Sequence, residues 1–379
     1  MPAIRIIHLV LNLKMGGLET WVVHFAKKIK DNQFSPMVCC LESNTDLGAS
    51  LKDHDIPVVT LDKREGYDFF LPGRLAKMMR DYQSPLLHTH NWDAHLYGTV
   101  AARIASVPVI IHTQHGAFHH RSWKNDLLRP ILGRCIDRFI GVSDGVSLFA
   151  KQSRWAPEEK VMTIINGVDP TPYRSPLEAD RIRIRASLSI PLDAPIIINV
   201  ARMNEVKDHD TLLKAFCILK ATIPSAHLML VGDGNLCPLL KGTAVRMGIE
   251  KFVHFIGIRT DVPDLLRAAD LFVLSSLSEG ISLSLLEAMS AGLPVAATDV
   301  GGNPSVVVAN KTGLLVPPRN PAQMASVIQM ILDDKALSKT MGEAGYGRVL
   351  SHFSFNQMAD AYMGLYRELL IKKRCRGNG

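Results

Sequence analysis

Residues 271–298 read LFVLSSLSEGISLSLLEAMSAGLPVAAT, and the fold turns on them. The apolar run at 271–276 predicts a strand, Glu279 and Gly280 a turn, and 281–291 a helix stopped by Gly292, with Pro294 beyond. PVAAT at 294–298 is then a second strand. Strand, crossover helix and strand in succession are the repeating unit of a parallel sheet. The stretch holds only two acidic residues, Glu279 and Glu287. Glu279 falls at the strand's carboxyl end, beside a helix N-terminus whose free N–H groups favour an anion such as a diphosphate. Glu287 lies about 9 Å further along the axis at 1.5 Å per residue. Carboxylates that far apart do not flank one bond, as the roughly 5 Å pair of a retaining glycosidase does, but they can hold two ends of one long ligand. The plainer roles are a charge complementing the helix dipole and a solvated helix residue. Small and apolar neighbours in LSLLEAMSAG argue against a solvated Glu287.

The same alternation extends in both directions. Strands are expected near 4–10, 36–41, 57–61, 85–89, 108–113, 138–142 and 161–165, with helical patterns at 18–30, 72–82, 93–105 and 124–137. A proline- and arginine-rich stretch, DPTPYRSPLEADRIRIRASLSIPLDAP (169–195), interrupts the pattern. It restarts with strands at 196–201, 227–232, 252–257, 271–276, 294–298 and 313–316. The fold class is therefore α/β, two doubly wound Rossmann-like parallel-sheet domains at 1–175 and 190–354, with a C-terminal helix at about 355–379 expected to pack back on the first. Ligands of open α/β sheets bind at the carboxyl ends of the strands, so a cleft between two such domains is the expected site.

Composition narrows the class of function. With 47% hydrophobic and 21% charged residues the chain is ordinary globular protein. The opening run IRIIHLVLNL is broken by Arg5 and His8 and followed by Lys14, which predicts a strand rather than a signal peptide. No run approaches the roughly 18 apolar residues of a membrane span. Six scattered cysteines without a C-x-x-C pair argue against a disulfide framework or zinc site and for a reducing cytoplasm. The net charge is +7, and residues 1–190 hold 24 Lys/Arg against 19 Asp/Glu. A basic first half suits an anionic partner, phosphate or acidic lipid, although a solvated basic face has the same composition; no nucleic-acid motif accompanies it. KKRCRGNG at 372–379 places four further cations after the last helix, suiting an anionic membrane or a solvated tail. No first strand leads into Gly-x-Gly-x-x-Gly, which disfavours a dinucleotide dehydrogenase.

Glu-x7-Glu within SEGISLSLLEAMSAGLPV resembles the signature of the retaining GT-B glycosyltransferases of family 4, the glycosyltransferase group 1 domain. GGLE (16–19), HTHN (88–91), HTQHG (112–116), GVS (141–143), NGVD (166–169), VARMNEVKDHDTLLKAF (200–216) and VGDG (231–234) extend the resemblance over nearly the whole chain. The arrangement is similar to bacterial enzymes that build exopolysaccharide or lipopolysaccharide. The resemblance implies that Arg202 and Lys207 clamp the donor diphosphate, a fork and an ammonium against the charge of a departing nucleoside diphosphate. It implies that Gly280, Ile281 and Ser282 meet the same phosphates, that Gly16 and Gly17 let backbone approach them from the other domain, and that Gly232, Ile256, Gly257 and Glu287 hold the nucleoside. His115 would touch the sugar near its anomeric carbon, Glu279 would hold the sugar hydroxyls, and His90 and Asn91 would meet the acceptor. The donor implied is a nucleoside-diphosphate sugar, UDP or GDP, with no metal and no other cofactor. The implied acceptor is a glycan or a polyprenol-linked sugar. Asp208 and Asp210 could mimic an Asp-x-Asp metal motif, but they suit helix caps before TLLKAF better. Histidines 88, 90, 112, 119 and 120 lack zinc-like spacing. A nucleotide-sugar epimerase of the same architecture and a catalytically silent scaffold remain the alternatives. The retention of Glu279, Glu287, Arg202, Lys207 and His115 argues against the second.

Overall fold

The computed structural model describes the chain except residues 1–2, 15, 31–32, 43–45, 117–122, 175–177 and 378–379, so His119 and His120 lie outside the described residues. The chain divides into two units, Met1–Ile165 with Gln357–Gly379, and Asn166–Asn356. In the first, β1 (Ile4–Val10), α1 (Gly17–Lys30), β2 (Phe34–Cys40), α2 (Asp46–Lys52), β3 (Val58–Thr60), α3 (Leu71–Tyr82), β4 (Leu86–His90), α4 (Asn91–Ile104), β5 (Val109–Gln114), α5 (Trp123–Arg134), β6 (Arg138–Gly141), α6 (Asp144–Gln152) and β7 (Val161–Thr163) follow one another. Their sheet has the order β3-β2-β1-β4-β5-β6-β7, with every pair parallel. Ile6, Ile7, Leu9 and Val10 of β1 are all fully buried, as expected of a strand covered on both faces.

The second unit opens with α7 (Glu178–Ser187) and continues through β8 (Ile196–Val200), α8 (His209–Leu219), β9 (His227–Val231), α9 (Cys237–Arg246), β10 (Val253–Gly257), α10 (Val262–Ala268), β11 (Leu271–Leu274), α11 (Leu283–Ser290), β12 (Val295–Thr298), α12 (Asn303–Val306), β13 (Leu314–Val316), α13 (Pro321–Asp333) and α14 (Lys335–His352). Its order is β10-β9-β8-β11-β12-β13, again parallel. In each sheet the first strand is central and the fourth lies on its other side, so consecutive loops diverge there. The opening stretch is β11, α11 and β12.

The arginine-rich segment is not a spacer. Arg181 and Arg185 donate to the two oxygens of Asp270 at 2.8 Å each, and the same carboxylate accepts the Ile196 N–H at 2.8 Å. Arg185, fully buried, also donates to the carbonyls of Pro191 and Ala194. A polar composition thus conceals a helix pinned to the second sheet, and residues 166–174 go with that unit rather than with the first. The last helix, α15 (Phe355–Gly377), contributes Tyr362 and Tyr366, both fully buried, to the first unit. Among the described residues no helix is long and apolar enough to cross a membrane.

Candidate active site

In the second unit the site forms where β8 and β11 run side by side. The loop after β8 carries exposed Arg202, then a short 3-10 turn, Glu205–Lys207, capped by the Asn204 side chain. The loop after β11 carries Glu279. Lys207 Nζ donates to Glu279 Oε1 at 2.5 Å, and Ser276 Oγ donates to the same oxygen at 2.6 Å. Two further bonds tie the loops together, Ser275 Oγ to the Lys207 carbonyl and Leu277 N–H to the Val206 carbonyl. Glu279, with 9% of its side chain exposed, is therefore held beside a cation and close to a helix start.

That helix begins later than its sequence suggests. Ser282 is the N-cap, its Oγ accepting the Leu285 N–H at 3.4 Å, so α11 starts at Leu283 rather than Ile281. A serine in extended backbone completes the first turn better than another helical residue does. Gly280, Ile281 and Ser282 are buried in the approach to it. Gly301 and Gly302, which drew no assignment from the sequence, lie directly behind this turn. A Cβ on Gly301 would stand 2.0 Å from the Glu279 carbonyl oxygen and one on Gly302 1.7 Å from that of Gly280. Only glycine permits so close a backbone approach.

Asp208 and Asp210 are engaged elsewhere. Asp208, at φ 44°, caps α8 by accepting from the Thr211 N–H and hydroxyl, while Asp210 pairs with Lys214 at 2.6 Å. The two carboxylates serve the helix, not a shared cation site.

Glu287 lies one helical turn into α11 and is only half-buried by surface, yet protein surrounds its carboxyl and burial raises its pKa. Tyr173 stands on a turn packed against α11, and burial and the Glu287 carboxylate hold its phenol well above its ordinary pKa. At the ends of β9 and β10, the Gly232 N–H donates to the Gly257 carbonyl at 2.8 Å, with Ile256 half-buried beside them. Gly232 has φ 127°, and a Cβ there would meet the Ala201 carbonyl oxygen at 2.1 Å. Tyr173 escaped sequence reasoning because it sits in the stretch that composition marks as a linker.

In the first unit the carboxyl ends of β1, β4 and β5 carry a layer of histidines. His8 Nδ1 and His90 Nε2 are 3.1 Å apart, His90 Nδ1 and His115 Nε2 3.0 Å. Asn91, at φ 62°, accepts the His115 N–H at 3.0 Å through Oδ1. His88 uses both ring nitrogens, on the Tyr366 hydroxyl at 2.6 Å and the Thr113 hydroxyl at 2.7 Å. Burial pushes His8, His112 and His115 down to about 3 and His88, His90 and His95 well below the ordinary value. All are neutral at physiological pH.

Neutrality fixes the protons. Three rings with one proton each can satisfy both contacts in only two ways, with every Nδ1 protonated or every Nε2. The second buries an N–H on His8 Nε2, which has no partner among the described residues; the first buries only a lone pair there and is favoured. His115 then offers an Nδ1–H donor. His8, His88 and His90 bring ligand atoms within 4.8 Å of one another, and both ring nitrogens of His88 and of His90 and the Nδ1 of His8 are engaged in hydrogen bonds. Gly16 and Gly17 stand at the start of α1, where the Gly16 carbonyl accepts the Thr20 N–H.

Comparison with known proteins gives the arrangement its context. Residues 180–348 match the family "Glycosyl transferases group 1" and residues 15–171 match "Glycosyltransferase Family 4". The UDP-Gal:alpha-D-GlcNAc-diphosphoundecaprenol alpha-1,3-galactosyltransferase of Escherichia coli is 26% identical over 382 residues, covering 98% of each chain. The D-inositol 3-phosphate glycosyltransferase of Streptomyces avermitilis is 31% identical over 314 residues, 77% of this chain and 67% of that one. Anabaena HepE, solved with UDP and glucose, superposes with a TM-score of 0.87 at 22% identity over 96% of this chain and all of that one. WaaG, a lipopolysaccharide glycosyltransferase, does so with 0.74 at 16% over 94% and 98%. At such identities the two solved structures speak for the fold alone.

Proposed function

Because the chain belongs to the group 1, family 4 glycosyltransferases, we propose that it is a retaining sugar transferase of cell-surface polysaccharide assembly. The second unit takes a nucleoside-diphosphate sugar, with UDP or GDP as nucleotide, and the first takes a glycan or polyprenol-linked acceptor. The lipid-linked acceptor in the name of the Escherichia coli relative supports this choice.

The observation that carries the reading is the Lys207–Glu279 pair at the approach to α11. In the resting site each neutralises the other. A diphosphate arriving beside Arg202 and the helix start gives Lys207 a second anion, and Glu279 is released to bind sugar hydroxyls. The acceptor oxygen then bonds to the anomeric carbon as the bond to the diphosphate breaks with its electron pair, and the acceptor's proton passes to the departing phosphate oxygen. Retention is taken from the family resemblance, and with Glu279 assigned to the sugar hydroxyls rather than to a covalent intermediate it requires same-face attack assisted by the departing phosphate. His115 contributes a neutral donor to the sugar. We read the protein as cytoplasmic, with peripheral contact at the inner face of the membrane; the cations of 372–376 support that contact, at about 1 kcal/mol each near an anionic surface. Lys373 is already paired with Asp137 at 2.8 Å and adds less.

The test is transfer from UDP- and GDP-sugars to a polyprenyl-diphosphate sugar, followed by NMR of the new linkage. The expected result is acceptor-dependent turnover, retained anomeric configuration, and activity that survives EDTA. Donor conversion without acceptor, inversion, or loss in EDTA restored by manganese would each overturn the corresponding part.

A further inference from the structure

His90 is 1% exposed and both its ring nitrogens are engaged, so it has no ring nitrogen left for the acceptor that the family resemblance suggests for it. We propose that His90 is the positioning residue of His115, its Nδ1–H donating to His115 Nε2 so that His115 presents an Nδ1–H, and not a lone pair, to the substrate. This rests on the reading of His115 as a donor to the sugar.

The sheet brings the two rings together. His90 ends β4 and His115 follows β5, its neighbour, which leaves His90 Nδ1 and His115 Nε2 3.0 Å apart. Asn91 fixes the main chain beside them. Held at φ 62°, its Oδ1 accepts the His115 N–H at 3.0 Å and the Gln114 side-chain N–H at 3.4 Å. Ring and main chain of His115 are thus tied to two consecutive residues. His90 is in turn held by packing: the His88 ring centroid lies 4.1 Å from its own and that of Trp21 5.6 Å, and the Trp21 indole N–H donates to Met358 Sδ at 3.0 Å.

The direction of the donors matters because the two tautomers of a neutral imidazole offer opposite chemistry at a given nitrogen. An Nδ1–H donates to a sugar oxygen, whereas a lone pair there must take the proton of the hydroxyl. Neutral histidine in water favours the Nε2–H form, so the Nδ1–H form needs a donor facing Nε2. Which nitrogen keeps the proton is set by the bond that the other one makes. His8 Nδ1 faces His90 Nε2 at 3.1 Å, and His8 Nε2 has no partner among the described residues, so the donors run from His8 to His90 to His115. His90 is the link that imposes this direction on His115.

Nitrogen-15 NMR of the full-length protein labelled at histidine distinguishes a protonated ring nitrogen from a lone pair and needs no substrate. In wild type at pH 7.5, His8, His90 and His115 are expected to carry their protons on Nδ1. His90→Asn keeps an amide N–H near the place of Nδ1 and should leave His115 in that form. His90→Phe keeps an aromatic ring but no donor, and should move His115 toward Nε2–H. In transfer from a UDP- or GDP-sugar, His90→Phe should lower kcat/KM about threefold to tenfold and His90→Asn should recover most of it. His90→Phe should add nothing to the loss already caused by His115→Phe. An Nε2–H on His115 in wild type, an unchanged His115 tautomer in His90→Phe, or equal losses with and without His115 would overturn the positioning role alone. Wild-type activity in His115→Phe would remove the sugar contact, and the proposal with it.

Discussion

Acidification from pH 7.5 to 5.5 is expected to unfold the first unit ahead of the second, with tryptophan emission as the reporter. His8, His88, His90, His95, His112 and His115 are kept neutral by burial, three of them down to about 3. In the unfolded chain each takes up a proton near pH 6.5. Below that pH the unfolded state binds more protons than the folded one, so stability falls as pH falls; above it the contribution is fully present. One unit below 6.5, each histidine costs up to about 1.4 kcal/mol, and six cost up to about 8, comparable with the whole stability of many domains. The second unit carries three such groups, His209 and His227 at about 4 and a lowered His254, and loses about half as much. All four tryptophans, 21, 92, 123 and 155, lie in the first unit. Their emission should shift with a midpoint above pH 5, while part of the helical circular dichroism survives. Emission unchanged down to pH 4.5 would show that the histidine layer admits protons without unfolding.

If Arg202 and Lys207 form the proposed diphosphate clamp, Arg202→Ala and Lys207→Ala should each cost about 100- to 1000-fold in kcat/KM, the magnitude associated with one preorganised group facing developing charge. The two variants should differ in their side effects. Arg202 is exposed, so its loss should lower the melting temperature less than that of Lys207. Lys207 is the cation of nearly buried Glu279, and removing it strands a carboxylate with only the Ser276 hydroxyl, so Lys207→Ala should also melt a few degrees lower. Adding Glu279→Gln should recover the melting temperature but not the activity. Activity within threefold of wild type in both single variants would take the clamp out of the mechanism.

Much of the fold was legible because parallel α/β architecture is written in local periodicity. Each strand of both sheets falls within a few residues of its expected position, since a run buried on both faces must be continuously apolar. Short helices such as α2 and α6 were passed over, having too few turns to show a period. The expected start of α11 was two residues early because apolar Ile281 continues the pattern, whereas the cap belongs to Ser282.

The sequence by itself determined the two-sheet class, the motif residues at the strand ends, and the family to which they belong, all of which depend on neighbours along the chain. Only the tertiary structure decided who meets whom. Lys207 reaches Glu279 because β8 and β11 are adjacent although two strands and three α-helices separate them in sequence. Gly301 and Gly302 back the Glu279 turn, His8 joins His90 and His115, and the turn that carries Tyr173 leaves the arginine-rich stretch to pack on α11. Strand order brings these partners together, and strand order is set by the burial of whole layers, a property that no local spacing encodes.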